Sequence, residues 1–262
     1  MKNTILSHLP GGFPWQVHWF STIDSTNTQA KIMAQNGAPH GTVLVAGHQT
    51  GGRGRMGRSF SSPAGLGLYL SVILRPGCAA TKLMHLTCAA GIAACDAVQE
   101  SCQIRPGIKW INDLVIGSRK LGGILTEMSV DPKTGLVEYA IIGIGINCLQ
   151  DPEDFPRELQ SMAISLKTAG CAPDIPTLAA SFICALRKMS LQLEKRDEIM
   201  AAYRRDCITL GREVVVLNGE EKQYGTALDV TADGALVVRL PDGASITVNA
   251  GEVSVRGMYG YI

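Results

Sequence analysis

Seven of the eight residues from 51 to 58 are glycine or arginine: Gly51-Gly52-Arg53-Gly54-Arg55-Met56-Gly57-Arg58. Glycine lets a backbone approach a ligand closely and adopt unusual dihedral angles. Arginine offers planar, two-pronged contacts to phosphate or carboxylate. Together they make a cationic clamp for an anion. A solvated loop or an RNA-binding arginine–glycine segment has the same composition. A single copy lying between two strand-like stretches favours a loop inside a folded domain. The run is not a standard phosphate loop. Gly47 and Gly52 have the spacing of its first two glycines, but Arg53 and Gly54 stand where Lys and Ser/Thr are needed. Gly143-Ile144-Gly145 is no dinucleotide fingerprint either, because the third glycine is missing and no helix signal follows.

A second group is Lys109-Trp110-Ile111-Asn112-Asp113, followed by Arg119-Lys120-Leu121-Gly122-Gly123. Within one strand, Lys109, Ile111 and Asp113 would share a face, and Trp110 and Asn112 the other. A hairpin after Gly117-Ser118 would bring Lys120 back beside them. Two lysines and a carboxylate are costly to bury without a partner. An anionic substrate would supply one; a surface salt-bridge cluster is the alternative. Gly122 and Gly123 are strand glycines of the kind that mark close approach. A third group, Ser25-Thr26-Asn27, opens a helix pattern. These are ordinary capping residues. They also present hydroxyls and an amide at a helix N-terminus, where anions are favoured.

Periodic elements must position these residues. Strands are expected at 17–22, 42–47 and 66–74, and helices at 25–36 and 81–101. A meander follows, with one strand over 108–116, a turn at Gly117-Ser118, a strand over 121–130, a turn over 131–135 and a strand over 137–147. The stretch 151–176 holds four of the twelve prolines and reads as irregular turns. Leu178, Phe182, Leu186, Met189 and Leu193 recur at helical spacing, and a further helix is expected near 198–207. Short strands at 214–217, 224–229, 235–239, 244–248 and 253–256 follow, with Asn218-Gly219, Asp233-Gly234 and Asp242-Gly243 as hairpin signals. They predict a small all-β domain. The 46% hydrophobic and 18% charged content fits a globular protein, and a net charge of +1 argues against a general polyanion binder. The eight cysteines form no CxxC pair, so a zinc ribbon is not expected. Reduced thiols, no signal peptide and no membrane-spanning run predict a cytoplasmic protein.

Taken together, Asp24-Ser25-Thr26-Asn27, the run 49–58, Lys109-Trp110-Ile111-Asn112-Asp113-Leu114, the run 119–127 and Gly143-Ile144-Gly145-Ile146-Asn147 resemble the biotin protein ligases. Order and spacing agree over residues 17–210. The resemblance implies an α+β fold, with a mixed or antiparallel sheet flanked by helices, class II synthetase-like, and then a small SH3-like β-barrel. The implied domains are 1–209 and 210–262. The implied reaction makes biotinyl-5′-AMP from biotin and ATP, then transfers biotin to a lysine of a biotin carboxyl carrier domain. By position, Ser25, Thr26, Asn27, Gln49, Arg53, Gly54, Arg55 and Lys120 would line the biotin pocket. The 53–58 segment would close over the adenylate. Lys109, Asn112, Asp113 and Asn147 would face ATP, and Gly52, Arg58, Gly122 and Gly123 would complete the binding set. Lys120 would stabilise charge, helped by Arg53, Arg55 and Mg²⁺, and Asp113 would orient or deprotonate the acceptor amine. No protein ligand to a metal is expected.

Two positions depart from the family. Ile111 stands where proline is usual, so a strand bend there is expected to differ. Phe60 stands where tryptophan is common, which leaves less surface for stacking on adenine. A lipoate or octanoate ligase is the nearest alternative, and a nucleic-acid-binding regulator a more distant one. Only about twenty residues precede the first strand, too few for an N-terminal DNA-binding module. Members of the family often dimerise through sheet edges, so a homodimer stays open. The five histidines sit in no nucleophile motif, and no GxSxG is present.

Overall fold

Thr42–Ala46 (β2) and Gly67–Leu74 (β3) are buried at every position. Strands apolar on both faces need cover on both, so they lie at the centre of a sheet with helices above and below. The computed structural model, which describes residues 1–11, 15–218, 221–249 and 252–258, has that arrangement. Gln16–Phe20 (β1), β2, β3, Gly107–Lys109 (β4), Asp113–Ile116 (β5), Arg119–Val130 (β6) and Val137–Asn147 (β7) form a seven-stranded sheet in the order β1-β2-β3-β7-β6-β5-β4. The β1–β2 pair is parallel and the other pairs are antiparallel, so the sheet is mixed.

Helix Thr26–Gln35 (α2) covers one face, where Ala30 and Ala34 pack on Leu44, Ile73 and Ile141. The alternate residues Val43, Val45, Val72 and Ile142 point to the other face, into a larger core with Leu86–Cys102 (α3) and Ile175–Ser190 (α4). Arg196–Asp206 (α5) packs against α3. The short helix Lys2–His8 (α1) carries no sequence signal, and Ile5 buries it against α4.

Five strands, Glu213–Asn218 (β8), Glu221–Val230 (β9), Leu236–Arg239 (β10), Ser245–Val248 (β11) and Glu252–Val255 (β12), make an antiparallel sheet in the order β11-β10-β9-β8-β12. This all-antiparallel arrangement is consistent with an SH3-like module. Gly234 and Gly243 hold φ of +86° and +89° in its turns, which only glycine adopts without strain. Gly219 of the expected Asn218-Gly219 turn lies outside the described residues. Among the described residues, no helix is long and apolar enough to cross a membrane.

Two expectations need correction. Helix α3 begins at Leu86, and the start expected at 81 is a separate 3₁₀ turn, Ala80–Leu83. The single strand expected over 108–116 is two strands, β4 and β5, folded antiparallel about Trp110-Ile111-Asn112. The Trp110–Ile111 peptide bond is cis. Lys109 and Asp113 still share a face, but as partners across a hairpin instead of alternate residues of one strand. Three contacts hold the turn: Trp110 N–H donates to Thr209 Oγ1 (2.9 Å), Trp110 Nε1–H to the Gly234 carbonyl (2.8 Å), and Tyr203 Oη–H to the Ile111 carbonyl (3.2 Å).

Candidate active site

A cleft of about 360 Å³ opens beside α2, over the part of the sheet where β7 carries Gly143 and Gly145. Side chains there would fill it. A Cβ on Gly143 would overlap the Asn27 side chain, and one on Gly145 would run into the Phe60 ring. Ser25, Thr26, Asn27, Gln49, Arg53, Gly54, Arg55, Arg58, Lys109, Asn112, Asp113, Lys120, Gly123 and Asn147 all line the cleft. Gly52 and Gly122 are not among its lining residues. Gly52 makes room for the Phe60 carbonyl and Gly122 for the Gly145 carbonyl, so backbone packing accounts for both.

One end is a network of hydroxyls and amides around α2, bounded by the Glu127 carboxylate. The Ser25 hydroxyl caps the helix by accepting from Thr28 N–H (3.5 Å). Gln49 Oε1 accepts from Thr26 N–H (2.8 Å), and Gln49 Nε2 donates to Ser62 Oγ (2.9 Å). These two backbone N–H groups are therefore taken up by side chains. Ser71 donates to Asn27 Oδ1 (2.6 Å) and lies 2.8 Å from Thr26 Oγ1. Asn27 Nδ2 donates to the Leu125 carbonyl (3.2 Å) and to Glu127 Oε2 (2.9 Å). Serine, threonine, asparagine and glutamine satisfy one another here with little exposure, and such a network gives the wall a fixed shape.

The other end is charged. Lys120 Nζ donates to Asp113 Oδ1 at 2.8 Å. Asn112 Nδ2 donates to the same oxygen (3.3 Å) and to the Ile124 carbonyl (3.0 Å), while Asn112 Oδ1 accepts from Arg55 (3.0 Å). Arg53, Arg55, Arg58, Lys109 and Lys120 contribute five cationic groups to the lining, and Asp113 contributes its carboxylate. A low-dielectric cleft with this excess focuses positive potential and draws anions.

The glycine–arginine run is an ordered hairpin. Phe60 N–H donates to the Gly52 carbonyl (2.9 Å), Arg53 pairs with Ser59, and Gly54 N–H donates to the Arg58 carbonyl (2.7 Å). Its tip, Arg55–Gly57, is a 3₁₀ turn in which Met56 has φ +55° and Gly57 φ +74°. Phe60 stands over Gly145 and meets Tyr69 edge-to-face, with centroids 6.4 Å apart.

Sequence reasoning missed part of the lining. Phe155, Leu159, Met162 and Ala163 come from the irregular stretch after β7. That stretch is pinned to Lys120, whose N–H donates to the Met162 carbonyl (2.7 Å) and whose carbonyl accepts from Ile164 (2.9 Å). Three large apolar residues in a proline-rich stretch were the available signal. Val253 reaches the cleft from β12, and no local pattern announces it. No group of three or more His, Cys, Asp or Glu side chains able to hold a metal occurs among the described residues. Burial pushes the Cys148 thiol, next to Asn147, up to about 12, so it stays protonated and is no nucleophile near neutral pH.

Comparison with known proteins adds independent information. Residues 19–147 match the biotin/lipoate A/B protein ligase family, and residues 209–256 match the biotin protein ligase C terminal domain. A Bacillus subtilis relative, bifunctional ligase/repressor BirA, is 44% identical over 151 residues, 58% of this chain. That match spans 46% of the relative's own length. The Mycobacterium tuberculosis biotin–[acetyl-CoA-carboxylase] ligase is 33% identical over 236 residues, which cover 87% of this chain and 85% of that one. The solved structure of biotin protein ligase from Aquifex aeolicus in complex with biotin and ATP superposes with a TM-score of 0.77 at 28% identity, over 93% of this chain and 99% of that one. Resemblance in both sheets and near-complete coverage of a relative one-third identical lead to one assignment: the chain belongs to the biotin/lipoate A/B protein ligase family and carries a biotin protein ligase C-terminal domain.

Proposed function

We propose that this chain is an ATP-dependent ligase that activates biotin as biotinyl-5′-AMP and transfers it to a lysine of a biotin carboxyl carrier domain. The observation that carries the reading is one cleft with two unlike ends: neutral hydroxyls and amides at Ser25, Thr26, Asn27 and Gln49, and a cationic cluster around Lys120. Biotin is a molecule with two unlike ends, a ureido ring that both donates and accepts hydrogen bonds and a carboxylate on an apolar chain. Lipoate and octanoate carry no comparable hydrogen-bonding ring, so they would gain less than biotin from a polar wall.

In the first step a carboxylate oxygen attacks the α-phosphorus of ATP and pyrophosphate leaves. Like charges must meet, and Lys120, Arg53 and Arg55 are assigned to neutralise them. Lys120 acts as an electrostatic stabiliser and forms no covalent bond. Lys109, Asn112, Asn147 and Arg58 are assigned to the nucleotide side, with Gly54 and Gly123 leaving space for it. Mg²⁺ bound to a triphosphate takes few protein ligands, which fits a site whose only lining carboxylate, among the described residues, is Asp113. When bound, the ion would supply further neutralisation of phosphate charge. In the second step the acceptor lysine amine attacks the acyl carbon, AMP leaves, and Asp113 orients the amine. The proposal includes two units, 1–209 and 210–262, and a cytoplasmic setting, which eight free thiols favour. A homodimer is compatible with it, and sedimentation at two concentrations decides that.

The test is calorimetry with biotin, lipoate and octanoate in turn, then pyrophosphate release with ATP. Biotin is expected to bind in the micromolar range or tighter and to be the acid that triggers release. Binding of lipoate in its place would transfer the assignment to that substrate.

A further inference from the structure

Glu127 touches two of the residues assigned to the acid-binding wall. On β6, Gly123, Leu125 and Glu127 alternate onto one face, and the first two line the cleft. At the far end of this row the Glu127 carboxylate accepts from Asn27 Nδ2 at 2.9 Å. It also holds the Arg53 guanidinium, with NH1 3.3 Å from Oε1 and 3.4 Å from Oε2. Asn27 has no other freedom: Oδ1 is taken by Ser71, and the amide fits against Gly143 with no room for a Cβ.

Guanidinium has five N–H donors in a rigid fork. Glu127 engages one nitrogen, so Nε and the second terminal nitrogen remain available to an anion. The carboxylate therefore aims Arg53 without exhausting it. It also anchors the base of the 52–60 hairpin to the sheet, since Arg53 is the hairpin residue paired with Ser59. We propose that Glu127 is a positioning residue for acid binding: it locks the Asn27 amide and sets the Arg53 guanidinium over the cleft. It touches neither the reacting carboxylate nor the α-phosphate. Its loss is expected to appear chiefly in the affinity for the acid, with a smaller fall in the turnover of bound substrates because Arg53 also serves the reacting centre. This inference rests on the acid-binding role of the cleft proposed above.

The experiment is a double-mutant cycle on acid binding, using wild type, Glu127→Gln, Arg53→Gln and the double variant. Calorimetry with biotin is run first on the wild type, then lipoate and octanoate, and the cycle uses the acid that binds. Glu127→Gln keeps the shape and an acceptor for Asn27 but removes the charge that holds Arg53. It is expected to weaken binding about five- to tenfold and raise KM similarly, with kcat within about twofold. The double variant is expected to be no weaker than Arg53→Gln by more than about twofold, because both changes disable one device. A wild type that binds one acid, with single effects that multiply, overturns the Glu127 proposal alone. So does a Glu127→Gln protein whose kcat falls with unchanged KM, or whose loss of affinity follows a matching drop in Tm. A wild type that binds none of the three acids overturns the proposed function and this inference with it.

Discussion

Lys120 and Asp113 meet at 2.8 Å, in a cleft where, among the described residues, every other charged lining group is a cation. Lys120 is well placed to serve two anions, because Asp113 fixes its ammonium at the lining of the cleft. Lys120→Ala is expected to slow adenylation by about two orders of magnitude or more, by analogy with loss of an oxyanion donor, and pyrophosphate release measures it. A near-normal rate would reject the assignment. The geometry also alters what Asp113→Asn should do. From sequence, Asp113 serves the incoming amine, so the variant slows carrier transfer more than adenylation. With its carboxylate on Lys120 and Asn112, the same variant is expected to slow adenylation as well, which single-turnover measurement of each step resolves. Residues that meet in the cleft were legible because their types are rare in combination: arginines among glycines, and lysines beside a carboxylate. Glu127 was not singled out, since a lone glutamate in a strand carries no signal until Asn27 and Arg53 are brought to it from far along the chain.

Elements were legible where one local rule decided them. Strand β7 falls on the predicted 137–147 because no charged residue interrupts 139–147 after the turn at Gly135, and α2 falls within the predicted bounds because Ser25 and Asn36-Gly37 close its ends. The β4–β5 hairpin was not legible, because Tyr203, Thr209 and Gly234 impose its turn from about a hundred residues away in sequence. The glycine–arginine run was read as loop, and its ladder depends on Gly52 passing close to the Phe60 carbonyl. Its tip is exposed, with Met56 at 69%. The amides of 55–57 are expected to exchange rapidly in the free protein and to gain protection with biotin plus ATP; equal protection in both states would refute a closing lid. Helix α5 gives a pH prediction. Burial pushes the Asp206 carboxyl up, but hydrogen bonds from Arg105 and Arg205 outweigh it and hold its pKa below the usual value. A carboxyl depressed in the folded state stabilises the fold above its unfolded pKa, and that stability is lost as pH falls through the folded one. Urea midpoints of wild type and Asp206→Asn are expected to differ by a constant amount from about pH 5 to 7, with wild type higher, and to converge below about pH 4.

At the scale of the molecule, the C-terminal sheet is joined to the cleft as well as to the chain's end. Val253 lines the cleft, Arg196 and Arg204 pair with Asp233 and Asp229, and the turn at Gly234 receives the indole N–H of Trp110. Trp110 is 5% exposed and opens the turn that carries Asn112 and leads into Asp113 at the start of β5. A rigid placement of Asp113 therefore depends on a carbonyl 124 residues away in sequence. Trp110→Phe keeps an aromatic ring but leaves the buried Gly234 carbonyl without its donor. Such an orphan costs about 1–3 kcal/mol. The loss should fall on both parts, because Val214, Val230, Leu236 and Val255 of the C-terminal sheet belong to the same buried cluster as Trp110, Ile108 and α3. Denaturation of the wild type is thus expected to be one cooperative transition by fluorescence and circular dichroism alike, and Trp110→Phe should lower its midpoint without splitting it. If the sheet positions the site, adenylation by Trp110→Phe should also fall several-fold at temperatures where the variant is fully folded. A variant that unfolds in two steps, or keeps full turnover when folded, would show that the two parts touch without coupling.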